Sequence, residues 1–472
     1  MPRIHLSKAL LFLSRDLPRW LFLGALIYAP WDYGGTTSRS ITAINWILGA
    51  VVGLWLLGLS VRRRRPVIPV QLWVAAAAIL VLGWFTTYNA RAIYDSDFGM
   101  FVPMRNPIPW APSSVDAIVA TTSMVRVTCL IGVLFFVVDL CRRPQWLLRI
   151  WITIAIAGGS IALLGLLQRA TGAVLPYWEY RPWLDHFTFF ATYYYHGNAG
   201  AFLNLVFPPT VGLALRTFQR PRVHIQRAIW LTATFLLIVA IFTNTSRAAQ
   251  LLGIILFVTL SLAAVRQMRR LTVAQNRIAI AATVGVTVVV LVAIAQATGI
   301  TRGVERWHRT AGEIPADSRW QAYKIALSAL PDAGWFGFGP GTFVAIFPHY
   351  ERAMNVELQG RMTYLHQDYL QTLLEWGWLG GACWAFIFGG GIASAVTALR
   401  RARDLKPQPR LYRLLPLVLI ALGAVLLHSS VDFPLQIASL QLYVATYLGI
   451  CWAGKYAFAH AEKSHLAGSR PK

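Results

Sequence analysis

Apolar residues run along this chain in long blocks. Twelve stretches of roughly 20 predominantly apolar residues, the length a bilayer-crossing helix needs, fall at about 17–35, 41–60, 69–88, 116–140, 146–168, 197–216, 228–244, 248–265, 278–298, 368–398, 413–430 and 435–457. Pro18 and Pro30 interrupt the first of them. The polar gap at Asn244–Arg247 is short and can be read as a tight turn between two spans or as a kink within one. The pattern predicts an all-α fold: a polytopic membrane helix bundle of about 12 transmembrane helices with a large, partly helical loop on one side. The chain divides into an N-terminal transmembrane bundle, 1–244, a second transmembrane region, 245–457, that includes the loop 299–367, and a tail, 458–472.

Composition agrees with a membrane protein. Of 472 residues, 56% are hydrophobic, only 13% are charged, and the mean hydropathy is +0.53. The net charge of +24 would suggest nucleic acid in a soluble protein. Topology accounts for it instead. With the N-terminus placed inside and the spans alternating, inner segments hold 29 Lys and Arg against four acids. Outer segments hold 13 against 14. Basic residues retained on the cytoplasmic side produce that asymmetry, so no nucleic-acid partner is implied, and merging the spans around Asn244–Arg247 would spoil it. The basic N-terminal flank permits a signal peptide, but the lack of a clean small-residue cleavage site favours a retained first span. Cys129, Cys141, Cys383 and Cys451 lie in or beside apolar runs with no CxxC, which leaves no disulfide framework or thiolate metal site.

The outer loops carry the candidate chemistry. Residues 89–115 are proline-rich, 169–196 are aromatic, and 299–367 are too long to be idle. In the last, a helix is expected from Asp317 or Ser318 to Leu330, with Ala322, Ile325, Ala326, Ala329 and Leu330 on its apolar side, closed by Pro331. A glycine-rich strip, Gly334 to Gly341, and a surface helix near Thr342–Met354 follow.

His366 stands at the mouth of a span, where an imidazole can take a proton from a hydroxyl or simply cap the helix. Asp368 suits the first turn of that helix. Arg247 can hold a phosphate bidentately or snorkel to lipid headgroups; Arg319 opens the loop helix, where the alternative to a site role is a solvated face. Arg126, about ten residues into its span, must face a cavity or a partner. Glu375 shares a helix face with Asp368 and reads as a hydrogen-bonded interhelical contact. His196 with Asn198, and His428 with Asp432, sit at outer span ends, lining the same cavity or capping helices. Asp95-Ser96-Asp97 is a DxD of the kind that holds divalent metal in many glycosyltransferases. No P-loop, GxSxG or HExxH motif stands in its required context.

In order along the chain come Asn244-Thr245-Ser246-Arg247 before a span, Arg319-Trp320 leading to Pro331, Gly337-Phe338-Gly339-Pro340-Gly341-Thr342-Phe343, His366-x-Asp368-Tyr369-Leu370-Gln371, Glu375-x-Gly377-x-x-Gly380 and Asp432 in a late turn. This order, over about Phe242–Phe433, resembles the bacterial O-antigen ligase/polymerase superfamily; Gln367 stands where family members often have Asn or Ser. The resemblance implies a metal-independent, inverting glycosyltransferase of the bacterial inner membrane, with both termini cytoplasmic, a periplasmic active site and no cofactor. It implies a glycan donor on undecaprenyl diphosphate and a glycan or lipid A core acceptor. His366 then matches the base, and Arg247 and Arg319 the diphosphate ligands; Arg126, outside the matching stretch, is a further candidate for the diphosphate, Asp368, Glu375 and Asp432 are expected to support them, and no residue is expected to bind metal. A protein side chain as acceptor, a flippase or transporter for the same lipid-linked glycan, and a metal-dependent transferase using Asp95 and Asp97 are the competing readings.

Overall fold

The computed structural model describes residues 12–104, 107–179, 188–218, 223–269, 318–356, 358, 362–402 and 410–468. Every expected apolar block among these carries a helix. They are α1 (Leu17–Trp31), α2 (Ser38–Val61), α3 (Val70–Tyr88), α4 (Ala117–Leu140), α5 (Pro144–Ala170), α6 (His196–Thr217), α7 (His224–Thr243), α8 (Arg247–Arg269), α11 (Asp368–Arg401), α12 (Arg410–His428) and α13 (Ala438–Gly468). Among the described residues, eight helices are long and apolar enough to cross a membrane. The span expected at 278–298 and the loop residues 299–317 lie outside them. The first block is shorter than expected: Pro18 is tolerated in the opening turn of α1, and the helix ends one residue after Pro30, at 15 residues. Asn244–Arg247 is a turn between two helices, not a kink.

The helices run alternately up and down, so one end of the bundle collects the starts of α2, α4, α6, α8, α11 and α13 with the ends of the others. At its centre lies α6, buried almost throughout and packed against α5, α7, α8 and α12. A helix apolar on every side has to be enclosed by others. Its neighbour α13 is pinned by two fully buried tyrosines: Tyr443 donates to the Leu26 carbonyl (2.6 Å) and Tyr447 to that of Leu205 (2.9 Å). Gly390 and Gly391 allow close packing, because the Trp452 ring lies over both.

Above this end sit a two-stranded hairpin and a helical cap. The hairpin pairs β1 (Ala92–Asp95) antiparallel with β2 (Met100–Pro103). The cap consists of α9 (Ser318–Ala333) and α10 (Phe343–Ala353). Helix α9 runs past the expected stop at Pro331 to Ala333, and Ala322, Ile325, Ala326 and Ala329 are buried as expected. They form a separate apolar cluster with Phe343, Ile346, Phe347, Leu365, Leu370 and Leu374, so the cap is packed onto the head of α11. Burying side chains such as Phe343 and Ile346 stabilises that docking by about 1.5–3 kcal/mol each.

Helix α11 is broken at Gly377 (φ 63°, ψ −173°). The break frees the carbonyls of Leu374 and Glu375, which accept from the N–H groups of Phe338 (2.9 Å) and Gly339 (3.0 Å) in the glycine strip. In return, Trp378 and Leu379 donate to Gly334 and Trp335. Backbone meets backbone here, and a Cβ on Gly377 would stand 2.4 Å from Trp335 and Phe336. Glu375, expected within the span, therefore lies in the short segment ahead of it.

Candidate active site

Four segments distant in sequence meet at the capped end of the bundle. His366 occupies the loop just before α11 with a left-handed backbone (φ 61°), a conformation rarely adopted by a non-glycine residue. Its surroundings over-determine it. Its carbonyl accepts from Tyr323 of α9 (2.8 Å). The preceding residue, Leu365, donates its N–H to Gln371 Oε1 (3.0 Å); Gln371 Nε2 donates to Glu375 Oε1 (3.0 Å), and Glu375 Oε2 accepts from the Gly341 N–H (2.9 Å). Glu375 thus links helix to loop, where an interhelical contact was the expectation.

The imidazole faces Asp432, with Nδ1 3.1 Å from Oδ1. Asp432 is buried in the turn between α12 and α13. Its second oxygen accepts from the Tyr195 hydroxyl (3.0 Å) and lies 3.7 Å from His428 Nε2. Gly197, in the first turn of α6, leaves room for it, since a Cβ there would fall 2.3 Å from Oδ2. Burial works to raise the Asp432 carboxyl, but the facing imidazoles of His366 and His428 outweigh it and hold the group below the usual carboxylate range. An ionised carboxylate only accepts hydrogen bonds. Nδ1 of His366 therefore donates to Asp432, and in the neutral form of such a ring the lone pair lies on Nε2. No hydrogen bond engages Nε2 among the described residues.

Arg319, in the first turn of α9, donates through Nη2 to the Tyr195 hydroxyl (3.0 Å) and through Nη1 to the Val431 carbonyl (3.2 Å). Burial and the Asp432 charge push the Tyr195 phenol up, with Arg319 acting the other way. The phenol stays protonated and links Arg319 to the His366–Asp432 pair. Phe433 completes the enclosure: it is sandwiched between Tyr195 (5.3 Å) and Tyr364 (4.6 Å) and meets the His366 ring edge-on at 4.6 Å.

The turn bearing Arg247 is tied to the same place. Asn244 Nδ2 donates to the His196 carbonyl, one residue beyond Tyr195 (3.0 Å), and Asn244 Oδ1 accepts from the Ser246 N–H (2.9 Å). Asp368 lies in the first turn of α11, where a carboxylate suits the helix dipole, and it also bonds to a distant turn. Its buried carboxylate accepts from the Leu435 N–H (2.9 Å) and Gln436 Nε2 (3.1 Å), while its N–H donates to Ser429 (2.9 Å). It clamps both sides of the turn that holds Asp432; Gln367 supplies the helix cap.

Arg126 is set apart from this cluster. Its Nη1 lies 3.5 Å from the Gln436 carbonyl, and the titratable groups facing it are Tyr364 and Glu375. It marks the polar end of an otherwise apolar cavity of about 550 Å³ between α4, α11 and α13. Gln441 Oε1, also at that cavity, has no hydrogen-bond partner among the described residues. Of the other candidates, Asp95 turns inward on its own hairpin, accepting from the N–H groups of Asp97 (2.9 Å) and Phe98 (3.3 Å). Among the described residues no group of three His, Cys, Asp or Glu is placed to hold a metal.

Tyr195 is the site residue that sequence reasoning missed. It stood among ten aromatics in one loop, and nothing local separates it from Tyr193 or Tyr194.

The fold and site define a multi-pass helical membrane protein with an aspartate-oriented histidine under an arginine-bearing cap. Residues 232–385 match the family model described as O-antigen ligase, which supports the resemblance that the motifs carry. The match takes in Arg247, Arg319, His366, Asp368 and Glu375 but not Arg126 or Asp432. No curated protein matches the chain.

Proposed function

We propose that this protein is an inverting, metal-independent glycosyltransferase of the bacterial inner membrane. It moves a glycan from undecaprenyl diphosphate to an acceptor hydroxyl at the periplasmic face, as an O-antigen or exopolysaccharide ligase or polymerase. In this reading twelve spans leave both termini in the cytoplasm, and the acceptor is a growing glycan or the lipid A core. One observation carries the chemistry: the 3.1 Å contact of His366 Nδ1 with Asp432 Oδ1, which leaves Nε2 as a base.

The reaction follows from that tautomer. Nε2 takes the proton of the acceptor hydroxyl, whose oxygen attacks the anomeric carbon of the donor. The bond from that carbon to the phosphate oxygen breaks, and the electron pair leaves on the diphosphate. Asp432 stabilises the imidazolium that forms. Arg319 and Arg247 hold the diphosphate and offset the charge developing on it. Arg126, at the polar end of the 550 Å³ cavity, faces the phosphate nearer the lipid, and the apolar walls take up the first isoprene units of the tail. The leaving group is already good, so cations and a base suffice.

A complementation assay tests this. His366→Ala should insert normally yet lower turnover roughly 10²–10⁴-fold, the usual worth of a general base. Near-normal polymer from that variant would remove the assignment.

A further inference from the structure

At the end of the bundle opposite His366, the start of α1, the end of α2 and the α4–α5 connection bring five guanidiniums together. Arg19 is only 6% exposed. It bonds to Asp16 Oδ1 (2.8 Å) and lies over the Trp146 ring at 5.2 Å. Arg15 shares the same carboxylate oxygen at 3.5 Å. Arg64 takes Asp139 Oδ1 at 2.6 Å. Arg62 reaches only carbonyls, of Gly58 (2.6 Å) and Ser14 (3.3 Å). Arg143 makes no ion pair or hydrogen bond through its side chain among the described residues. Arg143, Arg15 and Arg62 all act repulsively on Arg19, and Arg143 in turn feels Arg15 and Arg64.

Two carboxylates face these five cations, which leaves an excess of three positive charges around a nearly dry arginine. Uncompensated charge in such a place is costly. A second deficit sits beside it. Ser14 is 1% exposed, and its hydroxyl has no hydrogen-bond partner among the described residues. Both deficits ask for one thing, an anion with several oxygens.

The rim is apolar. Phe12, Leu13 and Trp20 are each about half exposed around the cluster. Trp20 packs edge-on against Trp146 (5.4 Å), and Arg149 lies over both rings. Tryptophans with arginines mark the level of lipid headgroups, and basic pockets between membrane helices bind anionic ones. We infer that this cluster binds the phosphate of an anionic membrane phospholipid, with its acyl chains against Phe12, Leu13 and Trp20.

The purified full-length protein, stripped of lipid in detergent, tests this by thermal unfolding and native mass spectrometry. The probes are phosphatidylglycerol, phosphatidylcholine of the same chains, and inorganic phosphate. Phosphatidylglycerol should raise the unfolding midpoint and stay bound, while the other two should do neither. Arg143→Gln removes a side chain that makes no hydrogen bond, so the fold should survive; combined with Arg15→Gln it should weaken phosphatidylglycerol binding on the order of tenfold or more. Arg266→Gln, exposed at the same end of the bundle, should bind as wild type. Equal effects of the two lipids, full protection by inorganic phosphate alone, or unchanged binding in Arg143→Gln and in the double variant would each overturn the inference.

Discussion

Replacing Asp432 by Asn keeps the shape of the side chain and removes its charge. The carboxylate serves His366 Nδ1 through one oxygen and the Tyr195 hydroxyl through the other. An amide can satisfy only one of them in the same way. If its NH2 faces His366, Nδ1 must become the acceptor, Nε2 gains the proton, and the base is lost. If its oxygen faces His366, the tautomer survives, but the imidazolium loses its counter-charge. The second outcome removes a charge-assisted hydrogen bond worth about 1.5–3 kcal/mol, or roughly 10–150-fold in rate. The first approaches the ~10⁴-fold loss known for a triad histidine held in the wrong tautomer. We therefore expect kcat to fall between about 10-fold and about 10⁴-fold. The assay is single-turnover transfer in proteoliposomes from a lipid-diphosphate glycan to its acceptor, with the unfolding midpoint as a folding control. The effect of D432N should not multiply with that of H366A, because the two residues act as one unit. A D432N protein that is fully folded and turns over within threefold of wild type would refute the reasoning.

Further outcomes follow from the same geometry. Asp432 is held below its unfolded value, so its contribution to stability is present above about pH 4 and is lost as pH falls from there through the depressed folded value; acid-unfolding curves of D432N should lack that component. Arg319→Ala loses its bonds to Tyr195 and Val431 and should raise the donor KM on the order of tenfold or more, whereas Arg319→Lys should recover only part, because a point charge cannot reproduce the fork; donor titration measures both. Gly377→Ala drives a Cβ to 2.4 Å from the Trp335–Phe336 backbone at a positive φ and should destabilise the cap by about 2 kcal/mol or more, seen as protease sensitivity in residues 318–356. Transfer activity should be unchanged in EDTA; its loss would revive the reading of Asp95 and Asp97 as metal ligands.

Much of this protein was legible without coordinates. A run of apolar residues long enough to cross a bilayer is a local property, so the helices from Ser38 to Arg269 could be read directly from hydropathy. The same holds for the apolar face of α9, whose Ala322, Ile325, Ala326 and Ala329 recur at helical spacing. His366 and Arg319 stood out because ionisable groups at span mouths and loop starts are few. The break in α11 was harder to see. Gly377 is one of many glycines in membrane helices, and only the opposing glycine strip makes a positive φ necessary there.

What tertiary structure alone decided is partnership. Tyr195, Arg319, His366 and Asp432 are separated by up to 237 residues and meet through packing of α6, α9 and the turns beside α11 and α12. No local spacing encodes such a meeting. Hence Asp368 proved to be a clamp on a distant turn, and Arg126 proved to face a cavity apart from the histidine. Local pattern determines which residues form helices and which are costly to bury; the three-dimensional fold determines which of the costly ones offset each other.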